Sequence, residues 1–314
     1  MTGAPVSLET VRAAAGRIAG GIRRTPVLAA SALRESPSQG SLFLKLECLQ
    51  VTGSFKPRGA LNKALGLGSA PGGLTTASGG NHGLGVAYAA SVLGVPATVF
   101  LPSSTPEAKA QKLRGWGAAV RVAGSVFDEA NEAALAHAET GGAVYVHPFA
   151  DPGVVSGQGT VGLELLEDVP DADTVLVAVG GGGLIAGIAT ALKALRPSIR
   201  VVGVEPVGAP TLHDSLKAGA LVTLERIGTE AGTLAPLRSA PLNLELIAAG
   251  VDRIVLVDDE AMRQAARWLW FEAGVAAELS GAAALAALTT GAYRPTPDER
   301  VIAVVCGAGS DGLG

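Results

Sequence analysis

The sequence contains little cysteine, few aromatic residues and no long apolar run. Its only cysteines, Cys48 and Cys306, lie far apart among 314 residues, which excludes a disulfide framework and the closely spaced ligands of a zinc site. No apolar stretch approaches the roughly 18 residues that a membrane-spanning helix needs, and residues 1–12 lack a basic segment followed by an apolar core. We therefore predict a cytoplasmic protein that does not bind a membrane.

Clustered charge of one sign is also missing. Lysine and arginine together number 24 against 28 aspartate and glutamate residues, so the formal net charge at pH 7 is −4, and no run of like charges occurs. Nucleic-acid binding requires clustered basic side chains. The sequence therefore predicts a small-molecule ligand and no nucleic-acid partner.

Apolar residues and glycines are abundant, at 48% of the chain and 43 residues respectively. Apolar segments without polar alternation are typical of strands covered on both faces, and here they alternate with amphipathic helical segments. This pattern predicts an α/β fold of two doubly wound lobes, with the ligand in the cleft between them at the carboxyl ends of strands. The predicted large domain comprises residues 1–71 and 150–314, and the predicted small domain comprises residues 72–149.

Lys56 lies in residues 52–58 (TGSFKPR), on a predicted turn that enters a helix over 58–67. Gly53 can adopt a positive φ, and Pro57 suits a first helical position. A lysine near a helix N-terminus meets the unfavourable end of the helix dipole, which favours the neutral amine that condenses with an aldehyde. For this segment alone a solvated surface lysine remains the better interpretation, and a Schiff-base lysine is the alternative.

A glycine loop, Gly180–Gly183, follows the predicted strand 174–179 and precedes a predicted helix. Its backbone amides can form an anion site, most naturally for a phosphate, and we consider glycines needed for packing alone the less favoured interpretation. The pattern Gly181-x-Gly183-x-x-Ala186, with Glu205 as a ribose-binding acid, also predicts a dinucleotide site. A nicotinamide-dependent enzyme is therefore an alternative that makes no use of Lys56.

A second polar turn, residues 78–83 (SGGNHG), follows another predicted strand. Its glycines allow backbone amides to approach a ligand, and Asn81 offers both a donor and an acceptor. An ordinary capped turn explains this segment equally well, and His82 at a helix start is more often a packing residue than a base.

Together, a Schiff-base lysine, a polar turn and a phosphate site suit pyridoxal 5′-phosphate (PLP). The sequence resembles the fold-type II PLP enzymes, and within them the serine/threonine dehydratase and serine racemase branch. These enzymes have a tryptophan synthase β-like fold. The resemblance runs from about residue 24 to Cys306. The family motif Ser-Phe-Lys-x-Arg-Gly-Ala is matched by residues 54–60, Ser-x-Gly-Asn-His by residues 78–82, and the tetraglycine loop by Gly180–Gly183.

The resemblance implies a role for each matched residue. Lys56 is implied to be the Schiff-base lysine and the base at Cα, with Phe55 packed on the cofactor ring and Gly180–Gly183 around the phosphate. Asn81 is implied to contact the ring hydroxyl, and Cys306 to face the pyridine nitrogen. The implied substrate-binding residues are Ser78, Gly79, Asn81 and His82.

Departures from the family pattern narrow the implied activity. Racemase-like members carry a serine, used as a second acid/base, where this chain has Gly79, so elimination is favoured over racemisation. A neutral thiol at Cys306 cannot hold the pyridine nitrogen protonated as a carboxylate would, which also favours loss of a β-leaving group. Members that bind divalent ions carry an aspartate where this chain has Thr211, so we predict no metal and regard Glu205 as a weak candidate ligand.

The expected function is that of an L-serine/L-threonine dehydratase (ammonia-lyase) that uses PLP, takes an amino-acid substrate and forms a homodimer. The product would be pyruvate or 2-oxobutanoate, together with ammonia. The alternatives are a dehydratase of another β-hydroxy amino acid of the hydroxyaspartate or phenylserine type, a serine racemase, and a non-catalytic PLP-binding regulatory protein. Because the chain ends soon after Cys306, we expect no C-terminal effector domain.

Overall fold

Two sheets organise the computed structural model, which describes residues 5–30, 34 and 36–310. The larger sheet has six strands in the order β1-β2-β10-β7-β8-β9. These strands are β1 Val27–Ala29, β2 Ser41–Lys45, β7 Thr174–Ala178, β8 Arg200–Pro206, β9 Arg253–Val257 and β10 Arg300–Val304. Strand β1 runs antiparallel to β2, and the other neighbouring strands of this sheet are parallel.

The smaller sheet has four parallel strands in the order β5-β4-β3-β6. They are β3 Leu74–Ala77, β4 Ala97–Leu101, β5 Ala119–Val122 and β6 Val144–Tyr145. All four therefore fall between residues 74 and 145, whereas the six strands of the larger sheet lie outside this range. The predicted α/β fold with two lobes is confirmed, and the exact domain boundaries remain a prediction.

Eleven α-helices in the described residues cover and connect the sheets. Ser7 caps the first through a capping box, and Asp151 and Asp258 cap two others, which satisfies N–H groups that a helix start leaves unpaired. Within the described residues, no helix is both long and apolar enough to cross a membrane. The helices are α1 Leu8–Ile18, α2 Lys56–Leu65, α3 Asn81–Leu93, α4 Glu107–Gly115, α5 Phe127–Gly141, α6 Pro152–Asp168, α7 Gly183–Leu195, α8 Thr211–Ala218, α9 Pro241–Gly250, α10 Asp259–Ala273 and α11 Leu279–Thr289.

Helix α2 lies between the two lobes. Its buried residues Ala60, Leu61 and Ala64 belong to the same apolar core as Leu84 of α3. On another side it packs so closely against α6 that a Cβ added at Gly59 would lie 2.4 Å from the Gln158 side chain. The helix that begins with Lys56 is therefore held from both sides.

The start of α2 differs from the predicted one. The helix begins at Lys56 and not at Arg58, with Phe55 as its N-cap residue. Pro57 occupies the second helical position, where its missing N–H removes no intrahelical hydrogen bond. Lys56 is thus fixed by the first helical turn instead of lying on a loop before it.

Candidate active site

A cleft between the lobes contains residues from distant parts of the chain. It lies where β7 and β10 end, at the carboxyl edge of the larger sheet. Of the predicted cofactor-binding residues, Phe55, Lys56, Asn81, Gly180–Gly183 and Cys306 all line it. The cleft is also lined by Glu278, for which the family resemblance implies a position near the far edge of the cofactor and an acid that satisfies the helix dipole is an equal alternative. The remaining lining residues are Pro148, Phe149, Gln158, Ala178, Leu184, Thr233 and Leu234.

The turn that leads into Lys56 is held against the segment that follows β10 and contains Cys306. The Phe55 N–H donates to the Cys306 carbonyl at 3.2 Å, and the Ala308 N–H donates to the Gly53 carbonyl at 2.7 Å. Gly53 has the expected positive φ of 86°, and Thr52 also adopts a positive φ, 66°. A β-branched residue in this region costs about 1–3 kcal/mol, so the surrounding contacts impose the conformation that places Lys56.

The Lys56 amine is a strongly perturbed group. Its Nζ donates to the Pro148 carbonyl at 2.8 Å and lies 5.2 Å from the centre of the Phe55 ring. Burial lowers the pKa of Lys56 to about 8, although Cys306 and Glu278 act in the opposite direction. Burial, and not the helix dipole considered in the sequence analysis, is the largest cause. Much more of this amine is neutral at pH 7 than in an ordinary lysine, whose pKa is about 10.4.

The glycine loop lies at the start of α7, where the first N–H groups have no partner within the helix. Packing requires glycine at each position, because an added Cβ would come within 3 Å of another atom at all four. At Gly181, for example, it would lie 2.2 Å from the Phe149 ring. Close packing is therefore one reason for the glycines, and the loop also presents its backbone to the cleft.

Asn81 and Glu278 join the two lobes across the cleft. The Asn81 Nδ2 donates to Glu278 Oε1 at 2.8 Å. Asn81 is the first residue of α3 in the small lobe, and Glu278 is the N-cap residue of α11 in the large lobe. Thr233 contacts the same Glu278 oxygen at 3.3 Å and lies next to Gly80.

Cys306 is a neutral thiol at one side of the cleft. It is 4% exposed, and its Sγ donates to the Ser280 carbonyl at 3.5 Å. Burial and the neighbouring Glu278 raise the pKa of the Cys306 thiol. A group of this kind can exchange a neutral hydrogen bond with a ligand but cannot supply a negative charge.

The other predicted substrate-binding residues lie outside the cleft lining. The Ser78 Oγ accepts from the Gly80 N–H at 3.3 Å. A Cβ added at Gly79 would lie 2.9 Å from the Thr105 methyl group. The buried His82 ring hydrogen-bonds the Val146 carbonyl at 2.8 Å, and burial holds the pKa of His82 well below its usual range. Any contact of His82 with a substrate would therefore come from its backbone at the start of α3.

Glu205, the weak candidate for a metal ligand, accepts hydrogen bonds from the backbone with both carboxylate oxygens. Its two oxygens accept from the N–H groups of Leu212 and His213 at 2.9 and 2.7 Å, at the start of α8. Burial raises the pKa of Glu205 to about 8, although these two donors lower it. Among the side chains of residues 5–30, 34 and 36–310, no group of three or more His, Cys, Asp or Glu is placed to hold a metal ion. The prediction that the protein binds no metal stays a prediction.

Two lining residues that sequence reasoning missed, Thr233 and Phe149, come from positions without a local signal. Thr233 belongs to a short 3₁₀ turn in a long irregular connection. Phe149 lies in the irregular segment between β6 and α6. His147 is neutral here, because burial and the nearby Lys56 lower the pKa of His147 to about 4.

The donor set of the cleft fits PLP. An amine with a lowered pKa can condense with the aldehyde, and a glycine loop at a helix start can bind the phosphate. Asn81 and Cys306 offer polar groups for the edge of the ring, and both line the same cleft as the lysine and the glycine loop.

Comparison with known proteins gives independent findings. A family model described as pyridoxal-phosphate dependent enzyme matches residues 18–307. An L-threonine ammonia-lyase of Thermotoga maritima is 42% identical over 285 residues, which are 90% of this chain and 71% of that protein. The solved structure of the processed form of threonine deaminase isoform 2 from Solanum lycopersicum has a TM-score of 0.91 and 34% identity, and the match covers 96% of this chain and 83% of that chain. Maize serine racemase has a TM-score of 0.92 and 34% identity, with 97% and 94% covered.

The family match includes the lysine segment, the Asn81 turn and the glycine loop, whereas the nicotinamide alternative used only the last of these. The predicted cofactor, PLP, is confirmed by this match. The chain belongs to the pyridoxal-phosphate dependent enzymes of fold type II, in the serine/threonine dehydratase and serine racemase branch.

Proposed function

We propose that this protein is an L-threonine and L-serine dehydratase that forms 2-oxobutanoate or pyruvate together with ammonia. The observation that carries the proposal is a lysine amine with a pKa of about 8 in a cleft shared with a glycine loop and a neutral thiol. The activity named for the Thermotoga maritima relative supports it.

In this proposal, each part of the cofactor has its own protein contacts. Lys56 binds the aldehyde carbon, and the amides of Gly180–Gly183 bind the phosphate. Phe55 packs on the ring, Asn81 binds the ring hydroxyl and Cys306 faces the pyridine nitrogen. What supports these roles is that all of these residues line one cleft.

The substrate carboxylate is proposed to bind at the start of α3. Its first N–H groups have no intrahelical partner, and the positive end of the helix dipole favours an anion. The Ser78 hydroxyl and the Asn81 amide lie in the same turn and can contribute hydrogen bonds, while Gly79 and His82 would act through their backbones. This arrangement would hold Cα of the substrate near Lys56.

The chemistry then needs one base and a β-leaving group. When bound, PLP withdraws electrons from Cα of the substrate. Lys56 would accept the Cα proton, and the β-hydroxyl would leave as water, so that the proton gained by the leaving oxygen balances the one lost from Cα. Hydrolysis of the enamine product by a second water then gives the keto acid and ammonia. Cys306 supports loss of the hydroxyl because an uncharged partner leaves the pyridine nitrogen without a stabilised positive charge.

A substrate panel tests the proposed function. Holoenzyme incubated with L-threonine, L-serine, 3-hydroxyaspartate and 3-phenylserine is expected to release keto acid fastest from L-threonine or L-serine. Faster release from hydroxyaspartate or phenylserine would instead support a dehydratase of another β-hydroxy amino acid. Cofactor binding without keto acid from any of the four would support a non-catalytic binding protein.

Racemisation is the second candidate, because the fold closely matches that of maize serine racemase. A racemase needs a group that returns the proton on the face opposite Lys56, and Gly79 has no side chain. We therefore expect D-serine to form from L-serine at less than about a hundredth of the rate of pyruvate, measured by chiral chromatography. Comparable rates for the two products would contradict this assignment.

The pKa of Lys56 predicts the pH dependence of cofactor capture. Only the neutral amine attacks an aldehyde, so the rate constant for PLP binding to apoenzyme should rise about tenfold per pH unit below the pKa and level off above it. With the pKa lowered to about 8, the midpoint is expected near pH 8 in stopped-flow absorbance. A midpoint near pH 10, as for an ordinary lysine, would contradict the effect of burial.

We also propose that the protein works as a homodimer in the cytoplasm. Support for a dimer comes from Trp270 and Phe271 near the end of α10, which are 46% and 76% exposed, since adjacent large apolar side chains at a surface are typical of protein interfaces. Support for the compartment comes from the two buried cysteines, both of which are free thiols.

A further inference from the structure

The carbonyl of Gly181, in the middle of the glycine loop, is held by side chains outside the cleft lining. The Asn243 Nδ2 of α9 donates to this carbonyl at 2.5 Å, and the Ser239 Oγ donates to it at 3.0 Å. Asn243 is fully buried and Ser239 is 8% exposed. Two side-chain donors therefore converge on one backbone oxygen of a loop that consists only of glycine.

The position of this carbonyl determines the direction of the next N–H. A peptide unit is planar and trans, so the Gly182 N–H points away from the Gly181 carbonyl. Helix α9 lies on the carbonyl side, since a Cβ added at Gly182 would lie 2.8 Å from Ile247 and 3.4 Å from Asn243. The two donors thus turn the Gly182 N–H toward the opposite side, where the loop lines the cleft.

Such an anchor matters because glycine restricts its own backbone so little. Four consecutive glycines can adopt many conformations, and ordering them costs more entropy than ordering other residues. Gly182 itself has a φ of 89°, which only glycine adopts without strain. Fixing the central peptide before the ligand arrives reduces the cost of binding an anion there.

Asn243 also connects the loop to the segment beside Lys56. The same Nδ2 donates to the Phe149 carbonyl at 3.1 Å. The Phe149 ring occupies the space in front of Gly181, and the preceding residue, Pro148, accepts from Lys56 Nζ. One buried amide therefore contacts both the glycine loop and the segment that holds the reactive lysine.

We propose that Asn243 and Ser239 are positioning residues for the phosphate end of PLP. They hold the Gly181 peptide so that its neighbouring N–H points into the cleft, and Asn243 fixes the loop relative to Phe149. This inference rests on the cofactor of the proposed function but not on the reaction that the enzyme catalyses.

Two ligands that differ only in the phosphate provide the test. Apoenzyme is titrated with PLP and with pyridoxal, and the dissociation constants are measured by absorbance. In Asn243→Ala the Phe149 carbonyl loses the Asn243 donor and the Gly181 carbonyl keeps only Ser239. The dissociation constant of PLP is therefore expected to rise about 10- to 100-fold, while that of pyridoxal changes less than about threefold. In Ser239→Ala the dissociation constant of PLP is expected to rise about 2- to 10-fold, and that of pyridoxal again changes less.

Asn62→Ala is the matched control. Asn62 is also a buried amide that donates to a backbone carbonyl, that of Gly153 at 2.6 Å, but it lies in α2 away from the glycine loop. This variant is expected to bind both ligands within about threefold of the wild type. Circular dichroism verifies folding of each variant. If Asn243→Ala does not fold, the test of the proposal is the ratio of the PLP and pyridoxal dissociation constants in Ser239→Ala.

Equal losses of PLP and pyridoxal affinity, or no loss of PLP affinity, would overturn the proposal. The measurements concern binding alone, so a protein without dehydratase activity would still give the expected selectivity. Failure of this inference is therefore distinguishable from failure of the proposed function.

Discussion

Replacing Lys56 with alanine is expected to abolish both the visible absorption of the bound cofactor and the release of keto acid. The side chain supplies the amine that bonds the aldehyde and the base that accepts the Cα proton. Loss of both roles should reduce turnover by at least about 10⁴-fold. Absorbance spectroscopy and a keto-acid assay on the purified variant measure the two effects separately.

Two further variants separate the chemistry of Lys56 from its charge. Lys56→Arg keeps a cation that can donate to the Pro148 carbonyl, but a guanidinium does not lose its proton or condense with an aldehyde. It should therefore behave like Lys56→Ala. Lys63→Ala, in the same helix, removes a lysine that pairs with Asp151 at 2.7 Å and should retain the visible band and the activity. A visible band in either Lys56 variant equal to that of the wild type would refute the assignment.

The second large effect is a loss of stability on replacing Arg58. This residue lies two positions after the reactive lysine and is fully buried. Its guanidinium donates to both oxygens of Glu47 at 2.7 Å and to both oxygens of Glu164 at 2.6 and 2.9 Å. Lys45, also fully buried, donates to Glu164 at 2.7 Å. This cluster links α2 with α6 and β2, directly behind the first turn of the lysine helix.

Arg58→Met is expected to lower the free energy of unfolding by about 3–5 kcal/mol, because it leaves the fully buried Glu47 carboxylate without its cation. Arg58→Lys should recover only part of the loss, since one ammonium group cannot make the paired contacts with two carboxylates. Urea unfolding followed by circular dichroism measures both variants.

Arg24 offers a matched control for Arg58. It pairs with Glu167 and Asp168 at the solvent side of the same cluster, but its side chain is 54% exposed. Exposed ion pairs contribute little, so Arg24→Met should change the free energy of unfolding by less than about 1 kcal/mol. A loss in Arg58→Met no greater than that in Arg24→Met would show that the buried cluster does not stabilise the lysine helix.

The architecture could be predicted because its signals are local. Apolar strands and helix caps such as Ser7 and Asp258 define elements close to the observed ones. The apolar spacing after Ser7 predicts a helix to about Ile22, but α1 ends at Ile18 because Gly20 and Gly21 follow. The three-residue edge strand β1 has too few residues for a periodic pattern to predict it. Residues 144–147 also read as a strand, but β6 ends at Tyr145, since the His147 side chain accepts from the N–H groups of the next turn.

The site could be predicted only in part. Lys56, Asn81 and the glycine loop lie in short motifs whose residue types indicate their chemistry. Asn243 and Phe149 carry no such motif, because their contacts with the loop arise from the packing of α9 and of the segment after β6. Thr52 was not expected to have a positive φ, since the strain is imposed by neighbours that are distant in sequence.

The most direct test of the proposed function is the stoichiometry of products from L-threonine. Holoenzyme is incubated with L-threonine, and ammonia and 2-oxobutanoate are quantified in the same sample over time. A β-elimination followed by hydrolysis predicts that the two products appear at equal rates and that both are absent in Lys56→Ala. Consumption of L-threonine without 2-oxobutanoate, or no consumption by the PLP-loaded protein, would contradict the assignment of this chain as a dehydratase.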